Sequence, residues 1–249
     1  MTSGPDPRIW LLDLEQLRPA LERAEQRMCL LAEDERGDGA MGSGVIGLNR
    51  RAVRIALRLL LLHEGAGEAA LGPLLLGPAG KPSLAGTDIE FSVSHAGQHA
   101  LIAVSRHGPV GVDLECWREV HIHEPRRSQI VAAAAAVAYQ AEDGRPIRGA
   151  LEQAQVLVAW TRLEAWAKAR GSGIGVLLTD LGLVGPGSRA VFLEAAAESA
   201  RRLAALDGVA VADLCLPTGL FGAVAARAGA PMRPALTCLT EKDCAPAPR

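Results

Sequence analysis

Asp113 and Glu115 stand two apart in the run VGVDLE, and Glu164 and Lys168 stand four apart in WTRLEAWAK. On a strand the first pair projects from one face while Val112 and Leu114 turn to the other. On a helix, Trp160, Glu164 and Lys168 fall at i, i+4 and i+8, so one stripe carries an acid and a base a single turn apart. If Glu164 joined the strand pair, carboxylates about 4 Å apart would repel one another by roughly 4 kcal/mol each at an effective dielectric of about 20. A divalent cation removes that cost. A few hard oxygen ligands with room for water and phosphate suit Mg²⁺ better than zinc or a closed calcium cage. The plainer reading of the same residues is a solvated strand face and a surface ion pair, and spacing alone does not separate the two.

Other residues could meet an anion. The run NRRAVRIALRLLLLHEG places Arg51, Arg54 and Arg58 at i, i+3 and i+7 of an amphipathic helix, where they either grip phosphates or are simply solvated. Ser94 and His95 close the strand IEFSVS, in which Ile89, Phe91 and Val93 share one side and Glu90, Ser92 and Ser94 the other. Three strings suggest chemistry that their context does not support. GSGVIG at 42–47 follows a charged loop where a dinucleotide motif needs a strand. GPAGKPS carries Pro82 where a phosphate loop needs Ser or Thr. His121, His123 and Glu124 lack a distant partner cluster for zinc.

The elements that must position these residues alternate between helix and strand. Helical spacing runs from Pro19 to Leu31, a loop from Glu33 to Gly47, and a helix from near Asn49. Strands at 89–94, 100–105 and 110–115 follow one another without an intervening helix, which predicts a meander. An alanine-rich helix is expected from about Ser128, a long helix from Gly149 to Arg170 closed by Gly171, and strands at Val209–Leu216 and Leu220–Ala226. The Pro-rich stretch 231–249 is expected to lack stable order.

Composition narrows the class. A chain of 249 residues can bury a core unaided, and a net charge of -2 with pI near 6.3 argues against a nucleic-acid or polybasic membrane surface. Five cysteines without close pairing suggest free thiols in a reducing cytoplasm. Met1–Leu14 lacks a basic region followed by an apolar one, and the uncharged run Ile130–Tyr139 is too short for a bilayer.

In order along the chain, GKP at 80–82, FSVSH at 91–95, GVDLE at 111–115 and WTRLEAWAKARGSGI at 160–174 resemble the Sfp-type 4′-phosphopantetheinyl transferase family. LLAEDER and the RIALR helix look like that family's N-terminal lobe. The resemblance implies an α/β (α+β) fold of two similar halves about a pseudo-twofold axis. The halves are expected at 1–107 and 108–229, the latter with the metal site, followed by a tail at 230–249. It implies Mg²⁺ held by Asp113, Glu115 and Glu164 against the pyrophosphate of coenzyme A, with Glu164 also the base. Lys168, Lys81 with Pro82, Ser94, His95 and Arg54, then Arg51 and Arg58, would contact donor phosphates. The acceptor would be a serine of an apo acyl, peptidyl or aryl carrier protein and the by-product 3′,5′-ADP, in a cytoplasmic monomer. Leu163 stands where many members have lysine, leaving that phosphate contact missing or supplied by Arg162. A family member that binds without efficient transfer is the alternative; a phosphohydrolase on the same carboxylates has only the metal site to support it.

Overall fold

The computed structural model describes residues 6–37, 41–138, 152–185, 191–227, 232 and 234–245, and their apolar residues assemble into two sheets with helices outside each. The first sheet has the order β4-β5-β1-β9, from Glu90–Ala96 (β4), His99–Ser105 (β5), Arg8–Asp13 (β1) and Leu236–Cys238 (β9). The second has the order β6-β8-β7, from Val110–Cys116 (β6), Leu220–Arg227 (β8) and Val209–Asp213 (β7). Leu75–Leu76 (β2) and Pro82–Ser83 (β3) form a separate two-stranded ribbon that carries Lys81.

Side-chain alternation sorts three cores. Ile9 and Leu11, Leu101 and Ala103, Val112 and Leu114, and Val224 and Ala226 meet between the sheets. Trp10, Leu12, Ile102 and Phe91 face outward from the first sheet against the helices Leu14–Met28 (α1) and Gly44–His63 (α3). Ala223 and Ala225 face outward from the second sheet against Arg126–Val137 (α4), Glu152–Arg170 (α5), Ile174–Asp180 (α6) and Leu193–Asp207 (α7). A short helix, Glu33–Arg36 (α2), precedes α3.

Several boundaries differ from those expected. Helix α1 starts at Leu14 because the Asp13 carboxylate caps it, accepting from the N–H groups of Glu15 and Gln16 at 3.1 Å each. The expected loop at 33–47 holds α2, and α3 begins at Gly44, five residues before Asn49.

The meander is interrupted. β4 and β5 form the antiparallel hairpin, but β1 takes the other edge of β5, pairing Trp10 with Ile102, so β6 crosses to the second sheet and pairs with β8. The Pro-rich tail also departs from expectation. β9 runs parallel to β1, pairing Ile9 with Leu236 and Leu11 with Cys238, while Leu239 and Cys244 are buried in the first core. None of the helices among the described residues is long and apolar enough to cross a membrane.

Candidate active site

The two sheets meet edge to edge at β4 and β6, and hydroxyl groups form the seam. Ser92 Oγ accepts from the Val112 N–H at 3.0 Å, and Ser94 Oγ accepts from the Leu114 N–H at 3.2 Å. These bonds satisfy donors that an edge strand leaves open. The alternation that sends Phe91 into the first core therefore turns Ser92 and Ser94 to β6.

The opposite faces of β6 have different tasks. Val112 and Leu114 point between the sheets, while Gly111, Asp113 and Glu115 point to α5. Gly111 has no side chain to hold α5 away. A Cβ there would lie 2.0 Å from the carbonyl oxygen of Ala165 and 2.4 Å from the Ala169 nitrogen, so only glycine admits the helix this close. One turn along, Lys168 extends onto Asp113, its Nζ 2.7 Å from Oδ1. Ser94 donates to the same oxygen at 2.8 Å and accepts from Lys168 at 3.1 Å. With Leu114 as its third partner, the Ser94 hydroxyl is fully used within the protein.

The three carboxylates sense one another. Asp113 is 6% exposed, and burial raises its pKa despite the opposing pull of Lys168 and Ser94; Glu115 adds a smaller upward push. Burial also raises the pKa of Glu164, with Asp113 next in importance and Glu115 a further contributor. Among the described residues the Glu164 carboxylate has no hydrogen bond or ion pair. Glu115, by contrast, accepts two bonds from Arg118, at 3.2 Å from Nε and 3.0 Å from Nη2.

The fit to a metal can be judged from this arrangement. Among the described residues no group of three or more His, Cys, Asp or Glu side chains is already drawn together as a metal site. Yet the donor set consists of hard carboxylate oxygens, two of the three acids are neutralised by the protein's own cations, and the third is unpaired beside them. That chemistry suits Mg²⁺ once those cations yield.

The remaining predicted residues divide. His95 is exposed at the end of β4, and its pKa is lowered by partial desolvation first and then by Arg50 and Lys168. It therefore shares a neighbourhood with Lys168. Lys81 is paired with Glu90 at 2.9 Å and also donates to the Val110 carbonyl at 3.3 Å, with Pro82 beside it on β3.

The arginine stripe is mostly committed elsewhere. Arg51 holds Glu22 through two bonds of 2.9 and 3.1 Å, and Arg54 pairs with Glu35 at 3.3 Å. Arg58 is 0% exposed, bonded to Glu35 at 2.6 Å and to the carbonyls of Ala70 and Gly72 at 2.6 and 2.9 Å. It is a core residue, closed to any phosphate. Leu163 is likewise buried in the second core, and Arg162 is held by Asp213 at 2.8 and 2.6 Å, so neither reaches the carboxylates.

Two residues at this site were not anticipated. Arg50 adjoins the predicted stripe but sits about 100° around the helix from Arg51, on the side toward His95. Arg118 lies three residues beyond Glu115, a spacing visible in the sequence. A cavity of about 590 Å³ bordered by His121, His123 and Glu124 includes none of the site residues and stands apart from this chemistry.

No protein-family model matches this chain. It is 29% identical over 175 residues to a protein of Synechocystis sp. that bears the name "Putative 4'-phosphopantetheinyl transferase", covering 68% of this chain and 67% of that one. The likeness supports the 4′-phosphopantetheinyl transferase superfamily. The features gathered in one place are the seam between β4 and β6, the acids of β6 and α5, and the basic groups His95, Arg50 and Lys168 around them.

Proposed function

We propose that this protein transfers the 4′-phosphopantetheine arm of coenzyme A to a serine of an apo carrier protein, of acyl, peptidyl or aryl type, in a Mg²⁺-dependent reaction. The observation that carries this reading is Glu164. Among the described residues it is an unpaired carboxylate with a raised pKa, on a helix held against the strand that bears Asp113 and Glu115. An acid left in that state is poor for stability and suited to accepting a proton or joining a cation.

Asp113, Glu115 and Glu164 would hold Mg²⁺, which when bound neutralises the donor's diphosphate charge. The residues of the chain supply the rest. Glu164, whose raised pKa brings it nearer to neutral pH, takes the proton of the acceptor serine. The serine oxygen forms a bond to the phosphorus carrying the pantetheine arm, and the bond from that phosphorus to the oxygen of the departing phosphate breaks, releasing 3′,5′-ADP. Lys168 stays near Asp113 and balances charge on the donor, with Lys81 contributing from the ribbon. His95 and Arg50 contact donor phosphates; Arg51 and Arg54 would need to leave Glu22 and Glu35 to do so. Ser94 orients Asp113 and Lys168.

The reading includes a cytoplasmic monomer with pseudo-twofold halves at 1–107 and 108–229. What supports the halves is that each sheet has three antiparallel strands covered outside by helices. A second reading, binding of coenzyme A or a carrier without efficient transfer, is favoured by Leu163 in the core and Arg162 held by Asp213.

Mass spectrometry separates the two. With coenzyme A, Mg²⁺ and a purified apo carrier, transfer adds one phosphopantetheine mass to the carrier and releases 3′,5′-ADP. Binding of coenzyme A with no mass change would favour the second reading.

A further inference from the structure

We propose that Arg118 is a built-in competitor for the cation at Glu115, occupying both oxygens of that carboxylate until an ion displaces it. This inference rests on the reading of Asp113, Glu115 and Glu164 as an ion site. Its starting point is that the two acids of β6 are each covered by a protein cation, but by cations of different freedom. Lys168 springs from α5, whose backbone is fixed against Gly111, and its ammonium is tied to both Asp113 and Ser94. Arg118 follows the end of β6, its side chain is 51% exposed, and it is hydrogen-bonded and ion-paired to Glu115, with Asp113 within electrostatic reach.

The geometry gives the competition its form. A guanidinium bonded to both oxygens takes one lone pair on each and sets a positive charge where an ion would otherwise approach. Glu115 is three-quarters or more covered, with 19% of its side chain exposed, so the pair is shielded on one side and open on the other. Ion binding at either of those positions therefore breaks at least one of the two hydrogen bonds, and the long exposed arginine is the partner able to withdraw. Asp113 needs no such release at both oxygens, since Lys168 and Ser94 share Oδ1. Arg118 is thus a positioning residue, acting through Glu115.

The test measures Mn²⁺ binding by electron paramagnetic resonance of the free ion, without donor or carrier, for the wild-type chain and for R118A, R118K, R162A, E115Q and E115Q/R118A. A partly exposed ion pair corresponds to about a 1.4- to 5-fold effect, so R118A should bind Mn²⁺ tighter by about that factor. R118K should also bind tighter, because lysine keeps the charge but loses the fork. R162A, which removes a cation held by Asp213, should match wild type, and R118A in the E115Q background should gain nothing over E115Q alone. Equal affinity in wild type, R118A and R118K would overturn the proposal, as would a gain confined to R118A, which would mark a simple field effect of charge. If none of the proteins binds Mn²⁺, the ion site itself is refuted and the competitor with it.

Discussion

Gly111 and Ala165 touch backbone to backbone: a Cβ on the strand residue would lie 2.0 Å from the helix residue's carbonyl oxygen. The contact sets how far Glu164 and Lys168 stand from Asp113. Because the obstructing atoms belong to main chain and cannot rotate away, G111A should shift α5 and destabilise the protein by about 1–3 kcal/mol. Thermal unfolding would register the loss, and carrier modification should fall more steeply than stability does.

Glu164 should be a residue whose removal helps the fold and ends the reaction. Its pKa in the folded protein lies above that of the unfolded chain, so the folded state holds the proton more tightly. Its effect on stability is therefore unfavourable, and it grows as pH rises from the ordinary glutamate range through the raised folded value. E164Q removes that slope. Chemical unfolding at neutral pH without divalent ions should show it more stable by about 0.5–2 kcal/mol, with no phosphopantetheine added to the carrier. A stability equal to or below wild type would contradict this account of the unpaired acid.

His95 should link donor binding to protons. Its lowered pKa leaves it neutral at pH 7, and an incoming phosphate favours its charged form. Affinity for coenzyme A should rise as pH falls below about 6.5, the ordinary histidine value. Calorimetry near pH 6 in two buffers of different ionisation enthalpy should report proton uptake on binding, and H95A should lose it.

Arg50 and Arg58 should respond in opposite ways. E35A strands the Arg58 guanidinium in the core and should cost about 3–5 kcal/mol of stability. R50A touches an exposed side chain, so its stability should stay within about 0.5 kcal/mol of wild type. Its affinity for coenzyme A should drop about tenfold or more, the loss of a hydrogen bond to a charged group. Titration calorimetry with coenzyme A checks the second outcome and urea unfolding the first.

Periodicity made much of the site legible. Alternation in VGVDLE separated Asp113 and Glu115 from Val112 and Leu114, and helical spacing placed Glu164 and Lys168 on one stripe, because strand and helix repeats are local properties. What escaped was nonlocal. Arg58 looked like part of an exposed basic face, yet Glu35 and the carbonyls of Ala70 and Gly72, distant along the chain, close over it. β1 escaped because IWLL is continuously apolar, without the alternation that announces a half-buried strand. The crossing of β6 to a second sheet depended on β1 having claimed the edge of β5. The role of Ser92 and Ser94 as seam residues likewise needed β6 beside them.

β9 lies parallel to β1, so a strand near the start of the chain is finished by one that follows more than 220 residues later. Such a pairing is a closure of very long range. On the ribosome, the flank of β1 that accepts Leu239 N–H at the Leu11 carbonyl stays open to water until residue 239 has emerged. Translation itself thus governs when the first sheet can be sealed.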